Sequence, residues 1–273
     1  MRASSNPAFR NLPTGVNYGG YAGFNQGAPD GGQPTYGGYG TAAGSADRPM
    51  TVDDVVVKTS ITLGVAFLTG ILTAIWAQGQ MAAGATGPVF GAMIGGMIVG
   101  LICALIVIFK KTPNPALILA YSAAEGVFLG AITGVFELLY PGIALQAILG
   151  TGIVFGVMLV VYRTGAVKVT PRLTKWVIGA AVGALMLMLA NLLLGMFGVD
   201  MGLRSGGPLA IIFSLVVIGI AAFMLLLDFD RADQMIREQM PQKWAWFAAF
   251  GLMTTLVWLY LEILRLLSYL QSE

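Results

Sequence analysis

The chain has 273 residues, 57% of them hydrophobic and only 10% charged, where soluble domains carry a charged share of about 25%. A formal charge of +2 is too small to imply a nucleic-acid partner, and the absence of histidine removes His-based triads and His-containing metal sites. The single cysteine, Cys103, lies inside an apolar run, which excludes disulfide frameworks and Cys-rich metal centres.

Residues 1–50 are rich in Gly, Pro, Ser, Asn and Tyr, and Tyr18-Gly19-Gly20-Tyr21 recurs as Tyr36-Gly37-Gly38-Tyr39. Such a segment buries too little apolar surface to offset its ordering entropy, so a disordered cytoplasmic tail is expected. It lacks the apolar core of a signal peptide. Residues 51–273 are then a transmembrane domain, and the expected fold class is all-α: a polytopic seven-helix bundle.

The predicted spans are 57–77, 88–109, 116–138, 144–162, 174–197, 208–228 and 246–268, each long enough to cross a hydrocarbon core of about 30 Å. Pro88, Pro113, Pro115, Pro141, Pro171, Pro208 and Pro241 lie in or beside the connectors, where proline disturbs helices least. An inward N-terminus places Arg2, Arg10, Arg48, Lys58, Lys110, Lys111, Arg163, Lys168, Arg172, Lys175, Arg231, Arg237 and Lys243 on the cytoplasmic side. Only Arg204 and Arg265 then fall outside. That asymmetry predicts a cytoplasmic N-terminus and, with seven spans, an external C-terminus. Glycines at four-residue spacing, Gly91/Gly95, Gly96/Gly100, Gly126/Gly130/Gly134 and Gly179/Gly183, predict closely packed helices with little room for a wide pore.

Ionisable groups at bilayer depth are expensive and mark function by default. Glu125 falls near the middle of the third span, while Glu137 lies near its outer end and reads as interfacial. Asp228 closes the sixth span, with Asp230 and Asp233 continuing into a connector that also holds Arg231 and Arg237. Glu262 lies in the last span with Arg265 one turn on, a spacing that also suits an ordinary i,i+3 ion pair. Asn191, in the fifth span, is placed to bond across helices.

Several runs together resemble the Bax inhibitor-1 family of membrane proteins, in a bacterial branch. They are Lys110-Lys111-Thr112-Pro113-Asn114-Pro115, Glu125-Gly126-Val127-Phe128-Leu129-Gly130 and Tyr260-Leu261-Glu262-Ile263, in a seven-span order covering roughly residues 50–270. The resemblance implies a bundle with its last helix near the centre and a pH-sensitive leak of calcium or other cations across the inner, plasma membrane. It also implies a gate of two acids, one ending the sixth helix and one in the seventh, latched by a basic residue of the second helix. Carried onto this chain, the acids are Asp228 and Glu262 and the latch is Lys110. Calcium, as transported ion rather than cofactor, would meet Asp228 and Glu262.

Two close carboxylates in low dielectric cannot both ionise comfortably, so acid should close such a path and higher pH open it. Geometry opposes a direct pair. If the sixth helix turns around Gln239–Pro241, Asp228 is level with Gly251–Met253, and Glu262 lies about nine residues, or ~14 Å, deeper. A shifted alignment puts Thr255 at the second acidic position and leaves Glu262 with Arg265. Two other readings stand beside the leak: a non-transporting regulator acting through partner membrane proteins, and an intramembrane aspartyl protease. The protease lacks the Gly-x-Gly-Asp pattern around either acid, so no enzymatic activity and no catalytic residue are expected.

Overall fold

In the computed structural model the described residues are 48–199 and 201–272; the expected tail therefore lies outside them, apart from its last three positions. Seven α-helices are found among the described residues, each long and apolar enough to cross a membrane. They are α1 (Val52–Ala82), α2 (Thr86–Lys110), α3 (Pro115–Leu139), α4 (Ile143–Thr164), α5 (Pro171–Met196), α6 (Pro208–Arg237) and α7 (Ala245–Ser272). Each predicted span overlaps one of them, the fifth running one residue past the end of α5, and the all-α expectation holds.

The helix starts follow from local chemistry. Thr51 caps α1, its hydroxyl accepting the Asp54 amide while the Asp54 carboxylate accepts the Thr51 amide, a reciprocal capping box. Proline opens α3, α5 and α6, where its missing N–H is not needed and its fixed φ suits the first turn. Asn114 and Thr170 add side-chain caps to α3 and α5. α4 ends on Gly165 at φ 66°, a left-handed exit that glycine makes without strain.

One boundary differs in a way that matters. α6 does not stop at Asp228 but runs on to Arg237, before a turn and a single 3₁₀ turn at Gln242–Trp244 lead into α7. The polar run Asp228–Arg237 hid this continuation, because a hydropathy window ends where the lipid ends and not where the helix does. Asp228 is thus held within a continuous helix rather than at a fraying end.

α7 is the central helix: 56% of its most apolar stretch is buried, against 11–39% for the others. It packs against α1, α3, α4 and α6, and Leu252, Leu256, Leu259 and Leu264 lie in the main apolar cluster with Leu225 of α6 and Ile143 and Ala147 of α4. α5 sits at the periphery, with α6 its principal neighbour.

Glycines make the tightest contacts, though not all those the spacing singled out. A Cβ on Gly126 would collide with Thr69 and the Ala66 carbonyl, one on Gly130 with the Gly70 carbonyl, and one on Gly134 would come 2.9 Å from the Ala74 carbonyl, so α1 and α3 meet backbone to backbone. Gly96 plays the same part between α2 and α3, 2.9 Å from the Ala124 carbonyl. Gly91, Gly95, Gly179 and Gly183, by contrast, have open space where a Cβ would stand. Four-residue spacing alone does not separate an internal seam from an outward face.

Candidate functional site: the acids between the sixth and seventh helices

α6 and α7 are tied at two levels by acids of unlike character. At the first, the Thr255 hydroxyl donates to Asp228 Oδ2 at 2.5 Å. Asp228 is half-buried, Thr255 is buried, and a Cβ on Gly251, one turn earlier on α7, would stand 4.0 Å from Asp228 Oδ1. Asp228 makes no ion pair among the described residues. Its charge, when present, is met by one hydroxyl and by Arg231 at a distance.

At the second level Glu262 is only 2% exposed and both its oxygens are engaged. Ser214 of α6 donates to Oε1 at 2.8 Å, and Arg265 donates to Oε2 at 3.0 Å. The pair with Arg265 is the i,i+3 bridge that the spacing allowed. Thr255 and Glu262 are seven residues apart on α7, about 10 Å along the helix axis. The structure therefore keeps Asp228 and Glu262 in two separate hydrogen-bonded sets rather than bringing them together as one gate or one calcium site. Thr255 stands opposite Asp228, as the shifted alignment has it. Even the longer α6 does not close the gap, because residues 238–244 form the turn and Asp228 stays level with Gly251–Thr255.

The remaining predicted residues divide clearly. Glu125 is half-buried where α3 meets α2, and a Cβ on Gly100 would lie 3.1 Å from Glu125 Oε1, so the glycine makes space for the acid. One turn away, the Tyr121 hydroxyl meets Thr254 Oγ1 of α7 at 3.2 Å. Glu137 accepts the backbone amides of Gly142 and Ala144 at 2.6 and 3.0 Å, a carboxylate at the start of α4 where the helix dipole favours it. Among the described residues Asp230 accepts from Gln234, one turn on in the same helix, and Asp233 accepts from Tyr162 of α4 and from Arg237. Lys110, proposed as the latch, is exposed at the end of α2 and forms no ion pair with either acid. Asn191, expected to bond across helices, has a buried Oδ1 with no hydrogen-bond partner among the described residues.

A further network went unseen in the sequence. Asp54, 7% exposed, accepts both guanidinium nitrogens of Arg48 at 2.9 and 2.7 Å, the Thr51 amide and hydroxyl, and Gln242 Nε2 at 2.8 Å. The Met50 amide donates to the Met240 carbonyl and the Gln242 amide to the Arg48 carbonyl, while Lys58 Nζ reaches the Gln242 carbonyl at 2.7 Å. Residues 48–51 thus clasp the α6–α7 turn. The Thr51-x-x-Asp54 box ahead of an apolar run was a readable sign of the cap, but nothing local announced Gln242 as its distant partner.

A cavity of about 540 Å³ lies beside α7, lined by Leu63, Gly70, Thr133, Ile148, Met253 and Tyr260 among others. It is almost wholly apolar; Thr133 and Tyr260 satisfy each other across it at 2.8 Å. Among the described residues no three His, Cys, Asp or Glu side chains gather as a metal site.

These features define a polytopic α-helical membrane protein whose central helix is joined to its neighbour by one half-buried and one buried acid. The family described as Bax inhibitor 1 like matches residues 6–272, and the chain belongs to it. No curated protein sequence matches the chain.

Proposed function

We propose that the protein is a pH-sensitive leak for calcium or other cations, with Asp228 as its titrating group and the N-terminal side of the bundle facing the cytoplasm. The observation that carries this reading is the bond from Thr255 to Asp228, which joins α6 to α7 through a carboxyl that makes no ion pair among the described residues. Glu262 is a poorer switch, because Arg265 neutralises it and Ser214 fills its other oxygen. Protonated, Asp228 is a neutral group that rests between two helices. Ionised, it is an unpaired charge that draws water and hard cations toward it. The apolar cavity beside α7 gives that helix room to move. Acidification therefore closes the path and alkalinisation opens it. The orientation rests on the basic residues, 13 of 15 of which fall on one side.

The test is calcium entry into dye-loaded liposomes holding the purified protein, followed between about pH 6 and 8. Asp228→Asn, neutral at every pH, should hold the path shut and flatten the profile, whereas Glu262→Gln should leave a pH dependence in place. An Asp228→Asn protein with the flux and pH response of the parent would sink this assignment. A second reading, a regulator acting through partner membrane proteins, draws on one observation: Gly179 and Gly183 form a small-residue stripe on peripheral α5 with no helix against it among the described residues. Recovery of one stoichiometric partner that is lost in Gly179→Leu, from a protein without flux, would favour it.

A further inference from the structure

At the end of the bundle away from the clasp, the two basic residues that the charge asymmetry set apart from the other thirteen are brought to one place. Arg204, in the connector between α5 and α6, and Arg265, on α7, line a single cavity of about 490 Å³. They are 61 residues apart in sequence, and each is half-buried. Like charges placed together out of water repel, and both burial and the neighbouring Arg265 charge lower the affinity of Arg204 for its proton.

The compensation present is incomplete. Arg265 gives one nitrogen to Glu262, whose charge it balances, and Arg204 forms no ion pair among the described residues. Among the described residues Arg204, Arg265 and Glu262 thus sum to one net positive charge, over a concave site whose wall also carries Ser205, Tyr140 and Tyr269. A planar guanidinium presents several donors in a fixed fork that matches phosphate oxygens. Cavities of this volume are typical of small-ligand sites. On one side the rim is Leu139, 65% exposed at the lipid-facing end of α3, so the site opens at the border of bilayer and water.

We infer that Arg204 and Arg265 form a phosphate-binding site on the outer rim of the bundle, taking the phosphate of a lipid headgroup or free inorganic phosphate. The site lies at the other end of α6 from Asp228 and does not depend on the leak. Its ligand would neutralise the second arginine and pin the α5–α6 connector to α7.

The experiment uses the purified full-length protein in two arms. In the first, nanodiscs of phosphatidylcholine with rising phosphatidylglycerol are scored by native mass spectrometry for retained lipid. In the second, inorganic phosphate is titrated calorimetrically into detergent-solubilised protein. Each arm is repeated with Arg204→Gln, with Arg204→Lys and with Arg172→Gln, which removes the same charge from the exposed start of α5. Retention of phosphatidylglycerol with no phosphate heat assigns the lipid headgroup; binding in both arms assigns a phosphate site of either source. In each case Arg204→Gln should weaken binding about ten-fold or more, Arg204→Lys should recover part of it, and Arg172→Gln should change little. No binding in either arm, or equal binding by the parent and Arg204→Gln proteins, overturns the inference.

Discussion

The bridge between Glu262 and Arg265 gives the sharpest energetic test. Replacing Arg265 by Met keeps the apolar stem but leaves a carboxylate that is 2% exposed with Ser214 as its remaining partner among the described residues. Breaking a buried pair from one side costs about 3–5 kcal/mol, because the surviving charge stays desolvated. The Arg237–Asp233 bridge has a shorter contact, 2.7 Å against 3.0 Å, but its side chains are 77% and 32% exposed. Water screens such a pair, so Arg237→Met should cost at most about 1 kcal/mol. Distance ranks the two bridges one way and burial the other, and burial should win. Equilibrium unfolding in mixed micelles of increasing denaturing detergent reads the difference. The double substitution Arg265→Met with Glu262→Gln should recover much of the loss, since no charge is then stranded. Equal effects of Arg265→Met and Arg237→Met, or a double variant as unstable as the sum of the singles, would refute the argument.

Other expectations follow from particular contacts. Gly130→Val drives side-chain atoms into the Gly70 carbonyl and Thr73; backbone cannot yield as a flexible side chain does, and the cost should be about 1–3 kcal/mol or more, seen as loss of monodisperse protein on gel filtration. Gly91→Ala meets open space and should leave stability unchanged or raise it by up to about 1 kcal/mol, because glycine is the poorer helix former. Asp54→Ala removes the acceptor shared by Arg48, Thr51 and Gln242; hydrogen exchange at the Met50 and Gln242 amides should rise by ten-fold or more while amides in the middle of α7 keep their protection. Thr255→Ala deletes the donor to Asp228, so the flux should keep a pH response but with its midpoint displaced.

Legibility in the sequence followed the range of the interactions. Spans were readable because lipid demands unbroken apolar runs, and α3, α5 and α6 announced their starts with proline. The central place of α7 was not readable from hydropathy, since α6 is the more apolar helix, with a mean hydropathy of 3.0 against 1.7, yet α7 is the more buried. Small and polar residues such as Gly251, Thr255 and Ser268 let α7 approach its neighbours, and hydropathy scores them as weaknesses. The acids were visible as anomalies, but their partners were not: Ser214 is 48 residues from Glu262 and Gln242 is 188 from Asp54. Where a partner lay one turn away, as Arg265 does from Glu262, spacing was enough. Arg204 and Arg265 were each read as strays on the outer face, and only the fold makes them neighbours.

The clasp at the other end has a mechanical meaning. Residues 48–51 are bonded to the turn that joins α6 to α7, and Asp228 and Thr255 lie within three helical turns of that turn on its two arms. The same four residues lead straight into α1, so the clasp couples the start of α1 to the hinge between the two helices that Asp228 holds together. A shift of residues 48–51 would thus be felt at two places at once, the first turn of α1 and the joint whose arms carry Asp228 and Thr255.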